Sequence, residues 1–176
     1  MKRLILSLLF CAFSTGPVFS QQDFSTVQIV THKVGGNVHY LEGSGGNIGV
    51  SVGSDGVLIV DDQYLPLADK INTALGNLKS GDLKFVLNTH HHGDHTGGNP
   101  YFGKMATIVA HQNVLDRVSK GDNAIDKAGW PVITYDRSAS VHFNGEQIEL
   151  VHYSRGHTDG DAIVYFKGSN VVHMGD

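Results

Sequence analysis

Residues 90–95 read His-His-His-Gly-Asp-His, placing four imidazoles and a carboxylate within six positions. Neutral imidazole is the commonest metal ligand among side chains. In an extended chain, residues two apart project to the same side. His90 and His92 can therefore share one metal ion at about 2.0–2.1 Å, with the intervening His91 pointing elsewhere. Gly93 lets the chain turn sharply. Asp94 and His95 then come round to suit a second ion, and Gly97-Gly98 allow the loop to fold back on itself.

Two ligands do not complete a zinc site. A catalytic zinc takes three protein ligands and leaves one position open for water. His157, in the stretch SRGHTDGD at 154–161, is the candidate third ligand. Asp176, in HMGD at 173–176, could place a carboxylate between two ions. Asp61 and Asp62 close the apolar run GVLIVDD (56–62). Either could hold a ligand histidine by its second nitrogen, as metal histidines usually require, or both could be exposed turn carboxylates. His32, His39, His142 and His152 read as surface or core histidines. His111 and His173, at or near strand ends, read as packing residues with the cleft as the alternative, and Trp130 as a packing anchor. No serine nucleophile elbow, Cys–His pair or phosphate-cradling loop competes with the histidine cluster.

The elements that must position these residues follow from periodicity. Short β-rich runs at 25–34, 37–43, 47–53 and 56–62 are punctuated by Gly35-Gly36, Gly45-Gly46 and Asp55-Gly56, which predicts an antiparallel meander. Residues 64–80 carry Leu67, Ile71, Ala74, Leu75 and Leu78 at helical spacing, with Pro66 near the start and Gly81 after the end. LKFVLNT (83–89) is nearly all apolar, as expected of a strand buried on both faces. A strand at 107–111 and a short helix at 112–121 follow. Strands are expected at 132–136, 140–144, 147–153, 162–168 and 170–176, with a loop at 156–161 and a hairpin about Gly168-Ser169-Asn170. The pattern predicts sheets covered by helices, with the histidine cluster at a strand's C-terminal end, where layered α/β folds place their sites.

Composition bounds the rest. The 176 residues carry 13 Lys+Arg against 17 Asp+Glu, net −4. No basic run or patch marks a nucleic-acid partner. Met1-Lys2-Arg3, the apolar run at 4–13 and the small residues before Gln21 read as a secretory signal peptide over residues 1–20. The apolar stretch is too short for a membrane span, which needs about 20 residues. The bulky Phe10 before Cys11 does not suit a lipoprotein signal. The expected mature chain, residues 21–176, is periplasmic or secreted, lacks cysteine, and must build any metal site from histidine and carboxylate. Nothing in the composition speaks to oligomeric state.

The motif H-x-H-x-D-H (His90, His92, Asp94, His95), then G-H-T (His157), then a strand ending in G-D (Asp176), resembles the metallo-β-lactamase superfamily across essentially the whole of residues 21–176. The resemblance implies an α/β fold, the four-layer αββα sandwich, with two Zn2+ ions between the sheets. It implies His90, His92 and His157 on one ion, and Asp94, His95 and Asp176 on the other, with Asp176 bridging. The family's last histidine ligand normally lies further along than Asp176. No closing helix follows the final strand either, so the C-terminal part of the sandwich is expected to be missing.

The chemistry expected is hydrolysis of a small-molecule substrate. Zinc lowers the pKa of bound water from 15.7 to about 7, and the resulting hydroxide, oriented by Asp94, would attack a carbonyl (β-lactam, lactone or thioester) or a phosphoester. The best-known zinc lactamases have a cysteine where Asp176 stands. His95 together with Asp176 looks more like the thioesterase, lactonase and phosphodiesterase branches. The alternatives are an iron-dependent redox relative, such as a sulfur dioxygenase, and a zinc-binding fragment without activity. A flavo-diiron relative would usually have Glu where His92 stands.

Overall fold

The computed structural model describes residues 23–78, 80–121 and 124–176. The signal-peptide reading of residues 1–20, Cys11 included, lies outside the described residues. Strands β1 (Val30–Gly35), β2 (Val38–Glu42), β3 (Ile48–Gly53) and β4 (Gly56–Val60) form the expected antiparallel meander. Gly53 pairs with Gly56 across the Asp55-Gly56 turn. The sheet then changes character. β4 pairs in parallel with β5 (Leu83–Leu87), and β6 (Thr107–His111) and β7 (Ile133–Tyr135) continue in parallel to complete seven strands in sequence order. β8 (Ser138–Phe143), β9 (Glu146–His152), β10 (Ala162–Phe166) and β11 (Val171–His173) form a second, antiparallel sheet ordered β11-β10-β9-β8.

β4 shows why the two sheets stack. Val57 and Ile59 face one core with α1 (Ala68–Asn77), while Leu58 and Val60 face the other with Ile148, Leu150, Val164 and Phe166 of the second sheet. A strand buried on both faces has no polar side, hence its unbroken apolar sequence. α1 supplies Ala68, Ile71, Ala74 and Leu75 as a buried stripe at helical spacing. Burial of Ile71 and Leu75 contributes about 1.5–3 kcal/mol each relative to exposure, and burial of the alanine methyls less. The layers are thus helix, sheet, sheet. The described α-helices, α1, α2 (Gly93–Thr96), α3 (Asn99–Phe102) and α4 (Gln112–Ser119), all fall between β4 and β7 in the chain.

Three expectations change. The first strand begins at Val30, not 25. Residues before it are tied instead to α1, where the Lys70 ammonium donates to the carbonyls of Phe24, Ser25 and Val27 at 3.0, 2.8 and 2.7 Å. The segment after His92, expected as plain loop, contains the one-turn helices α2 and α3. The strand expected over 83–89 ends at Leu87 and the one over 170–176 at His173, so His90, His92 and Asp176 all lie beyond strand ends.

Candidate metal centre

The six residues singled out by motif follow the C-terminal ends of β5, β9 and β11 and converge. His90, His92 and His157 bring ligand nitrogens within 4.8 Å of one another, and so do the ligand atoms of His90, His95 and Asp176. His92 and His90 meet edge to face, with ring centroids 4.9 Å apart. Their convergence does not come from strand alternation, because the chain bends from Thr89 to His92. His91 belongs to neither group, as expected. Asp94 stands in the first turn of α2, with Oδ2 3.7 Å from His95 Nε2, beside the second group and outside both triplets.

Asp61 organises the buried side of this cluster. It is 1 % exposed and held in the left-handed region at φ 63°. Its carboxylate accepts from the Thr89 amide (2.8 Å), the Thr89 hydroxyl (2.8 Å) and His95 Nδ1 (2.7 Å). Burial works to raise its pKa, but the His95 hydrogen bond and charge prevail and keep it below the usual carboxylate range. An ionised carboxylate can only accept, so His95 Nδ1 must carry a proton. The Thr89 hydroxyl spends its own proton on Asp61 and accepts from His90 Nδ1 at 3.0 Å. One carboxylate thereby fixes two histidines, one directly and one through a hydroxyl. Both present Nε2 to the cleft.

Those two Nε2 atoms are buried and have no hydrogen-bond partner. Asp176 faces both, with Oδ1 3.0 Å from His95 Nε2 and Oδ2 4.0 Å from His90 Nε2, and Oδ2 also lies 3.8 Å from His157 Nε2. The His95–Asp176 approach is a charge contact that lacks hydrogen-bond alignment. His157 Nε2 and His92 Nδ1 confront each other at 2.9 Å. Lone pairs and carboxylate oxygens aimed at common points are the donor set that zinc prefers, so the residues present fit one or two divalent ions. Burial pushes His90 down to about 4, helped by the charge of His95. Burial also opposes protonation of His95, yet the Asp61 hydrogen bond and charge, with Asp176 and Asp94, raise it to about 9.

The neighbouring Asp62 is fully buried, and burial together with the charge of Asp61 holds its pKa well above the ordinary value. Its Oδ1 accepts from the Gly98 amide at 2.8 Å, which pins the turn after α2. Both aspartates are therefore buried anchors, and the exposed-turn alternative falls away for each. Behind them Asn88 and Asn99 exchange amide hydrogen bonds at 3.0 and 3.1 Å. Thr89, Gln63 and this asparagine pair were not singled out from sequence. For Gln63, Asn88 and Thr89 the available signal was polar residues following a largely apolar strand without a glycine between.

The His157 side is built differently. Asp161 accepts from the Thr158 amide at 2.9 Å and from the Thr158 hydroxyl, closing the loop locally. α4 holds it from outside, with Asn113 Nδ2 donating to the Asp159 carbonyl (2.6 Å) and Arg117 pairing with the Asp159 carboxylate (2.8 Å). His157 and Asp176 keep side-chain exposures of 40 % and 39 %. A cleft of about 260 Å³ opens on the His95 side, lined also by His39, Asn47 and His173, and one of about 330 Å³ on the His157 side, lined by Tyr153, Ile163 and Met174. His173 lines the first cleft while bonding the Asn47 carbonyl (2.8 Å). His111 caps α4 and stacks on His152.

Known proteins place this arrangement. Curated relatives include hydroxyacylglutathione hydrolases from Pelagibacter ubique, 32% identical over 101 residues (56% of this chain, 37% of that protein), and from a Synechococcus strain, 28% identical over 111 residues (63% and 39%). Among solved structures, the subclass B3 metallo-β-lactamase BJP-1 of Bradyrhizobium japonicum superposes with a TM-score of 0.69 at 21% identity (81% of this chain, 58% of that one). The class B3 di-zinc metallo-β-lactamase LRA-12 from an Alaskan soil metagenome does so with 0.69 at 20% (85% and 61%). The chain spans less than two fifths of the length of these curated relatives and about three fifths of the solved ones. The structural likeness establishes the fold, an α/β metallo-β-lactamase sandwich. The family model of the metallo-β-lactamase superfamily matches residues 41–176, from β2 through every histidine and carboxylate of the cluster, and on that match the chain belongs to this superfamily.

Proposed function

We propose that this protein is an exported zinc-dependent hydrolase that cleaves an acyl carbonyl bond, with a thioester as its leading substrate class. His90, His92 and His157 would hold one ion, Asp94 and His95 a second, and Asp176 would place one oxygen toward each. The observation that carries the reading is the pair of buried, unpaired Nε2 atoms on His90 and His95, each anchored from behind through Asp61 and both facing the Asp176 carboxylate. A buried polar nitrogen without a partner costs about 1–3 kcal/mol, a cost that a metal ligand bond removes.

When bound, such ions polarise a carbonyl oxygen and bring the pKa of water down to about 7 in the zinc case. The chain's own groups do the rest. Asp61 and Thr89 keep the Nε2 lone pairs of His95 and His90 aimed at the ions. Asp94, partly exposed on the open side, accepts a hydrogen bond from the attacking water and orients it. The two clefts beside His95 and His157 offer room for the acyl and leaving portions of a substrate. The thioester class is supported by the relatives named hydroxyacylglutathione hydrolase.

The test is metal analysis of the purified protein together with turnover of a thioester, a lactone, nitrocefin and a phosphodiester. Zinc content with thioester turnover is the expected result, with turnover lost and zinc content lowered in His92→Ala. Retention of both by that variant would sink the assignment, and iron as the native metal would move the protein to the redox branch. Export predicts cleavage of residues 1–20. N-terminal sequencing of the mature protein should begin at Gln21.

A further inference from the structure

Beyond Asp61 and Asp62, a third polar residue follows β4, and nothing in the proposed chemistry yet employs it. Gln63 is fully buried and sits in the left-handed region at φ 54°, two residues after Asp61 at φ 63°. Non-glycine residues seldom occupy that region, and where they do the surroundings over-determine them. The surroundings of Gln63 are specific. Its backbone carbonyl accepts from the Gly98 amide at 3.0 Å. Its side-chain Oε1 accepts from the Ser44 amide at 3.3 Å, and its Nε2 donates to the Gly46 carbonyl at 2.6 Å. The carboxamide thus grips the β2–β3 loop on both sides of Gly45.

That loop lies directly against the second ligand group. A Cβ on Gly46 would stand 2.5 Å from His95 Cε1 and 2.9 Å from Nε2. A Cβ on Gly45, itself at φ 91°, would stand 2.8 Å from the Asp94 Cβ. Glycine at both positions lets the backbone form a wall against the imidazole and the carboxylate. Asp61 holds His95 from behind through Nδ1, whereas the loop confines the ring from the other side. The run Asp61-Asp62-Gln63 therefore sends each side chain to a different loop around the centre: 89–95, 98 and 44–46.

From this juxtaposition we infer that Gln63 is a positioning residue for the ion held by His95 and Asp94: its carboxamide clamps the 43–46 glycine loop against those ligands and sets their spacing. This rests on the two-ion reading above. The effect is selective. Loss of the clamp should disturb the His95 and Asp94 side and leave the His90, His92 and His157 side intact, because no member of that triplet touches the loop in these contacts.

The experiment is stepwise Co2+ titration of the full chain, stripped of metal, read by visible absorption and by bound-metal stoichiometry. Gln63→Met keeps side-chain volume and removes both hydrogen bonds. Gly46→Ala leaves Gln63 in place and pushes on His95 from the loop side. The expected result for both is a second equivalent weakened about 10-fold or more, with an altered spectrum, and a first equivalent within about 2-fold of wild type, as for residues that orient metal ligands. Two equivalents bound at wild-type affinity by folded Gln63→Met would overturn the clamp and leave the two-ion reading standing. Equal weakening of both equivalents would overturn it too, marking Gln63 as a general fold residue. Should Gln63→Met fail to fold, Gly46→Ala decides by the same criteria. A wild-type chain that takes up only one equivalent would overturn both this inference and the two-ion reading.

Discussion

The two sides of the candidate metal centre are held by different means. His90 and His95 are each 1 % exposed and share one buried carboxylate, reached directly or through the Thr89 hydroxyl. His157 and Asp176 are about two-fifths exposed. They are carried by a loop that Asp161 and α4 hold, and by the segment after β11. On the buried side the side chains themselves are locked. On the open side the backbone of the His157 loop is held and the side chains are left accessible. A site arranged this way has its buried rings oriented before an ion arrives, and keeps its approach open to substrate.

The largest effect expected is at the ligands. His92→Ala should reduce activity to background and lower bound zinc, measured by turnover and metal analysis on one preparation. Next is the buried anchor. Asp61→Ala leaves the His95 Nδ1 proton and two Thr89 donors without an acceptor. Removing one partner of a buried pair costs about 3–5 kcal/mol, and urea denaturation of the metal-free protein reads this directly. A loss below about 1 kcal/mol would erase the distinction between the two sides.

Asp161→Ala frees the His157 loop and should weaken metal binding about 10-fold at a stability cost of about 1 kcal/mol. A stability loss equal to that of Asp61→Ala would place the two sides on the same footing. Proton linkage sharpens the contrast further. Metal-free His95, raised to about 9, is protonated at neutral pH, whereas His90, lowered to about 4, is not. An ion at His95 Nε2 must displace a proton, so its affinity should climb about tenfold per pH unit up to about pH 9. Binding through His90 carries no such displacement above about pH 4. Titrations at three pH values test this, and a pH-independent affinity for the ion at His95 speaks against it. The smallest effect is expected of Arg117→Ala. It removes an exposed ion pair, which solvent screens, so a minor shift in thermal melting is expected with activity nearly unchanged.

Much of the fold was legible from periodicity. The all-apolar GVLIV run and the Asp55-Gly56 turn identified β4 and its hairpin. The stripe at Ile71, Ala74 and Leu75 identified α1. What periodicity missed was short. α2 and α3 have four residues each, too few for a repeat to register, and the segment before Val30 is β-rich in composition yet is tied down by Lys70 rather than by a ladder.

The site was legible in ligand types and only partly in reasons. His90 and His92 do converge, but through a bend from Thr89 rather than through strand pleating. Asp61 and Asp62 could each be read as a histidine anchor or as an exposed turn carboxylate. The structure gives it the histidines and gives Asp62 the Gly98 amide. Gln63 was legible only as a polar residue after an apolar strand, and its role was not, because its side-chain partners lie 17 and 19 residues earlier in the chain.

The sequence by itself determined which groups could bind metal, since six histidines and carboxylates at motif spacing are a matter of side-chain chemistry and local reach. Tertiary structure decided which nitrogen each buried histidine presents, which carboxylate is buried as an anchor and which faces the cleft, and which side of the candidate centre stays open. Those outcomes depend on hydrogen-bond partners and burial contributed by the ends of β4, β5, β10 and β11. Only the stacking of two sheets brings them to one place.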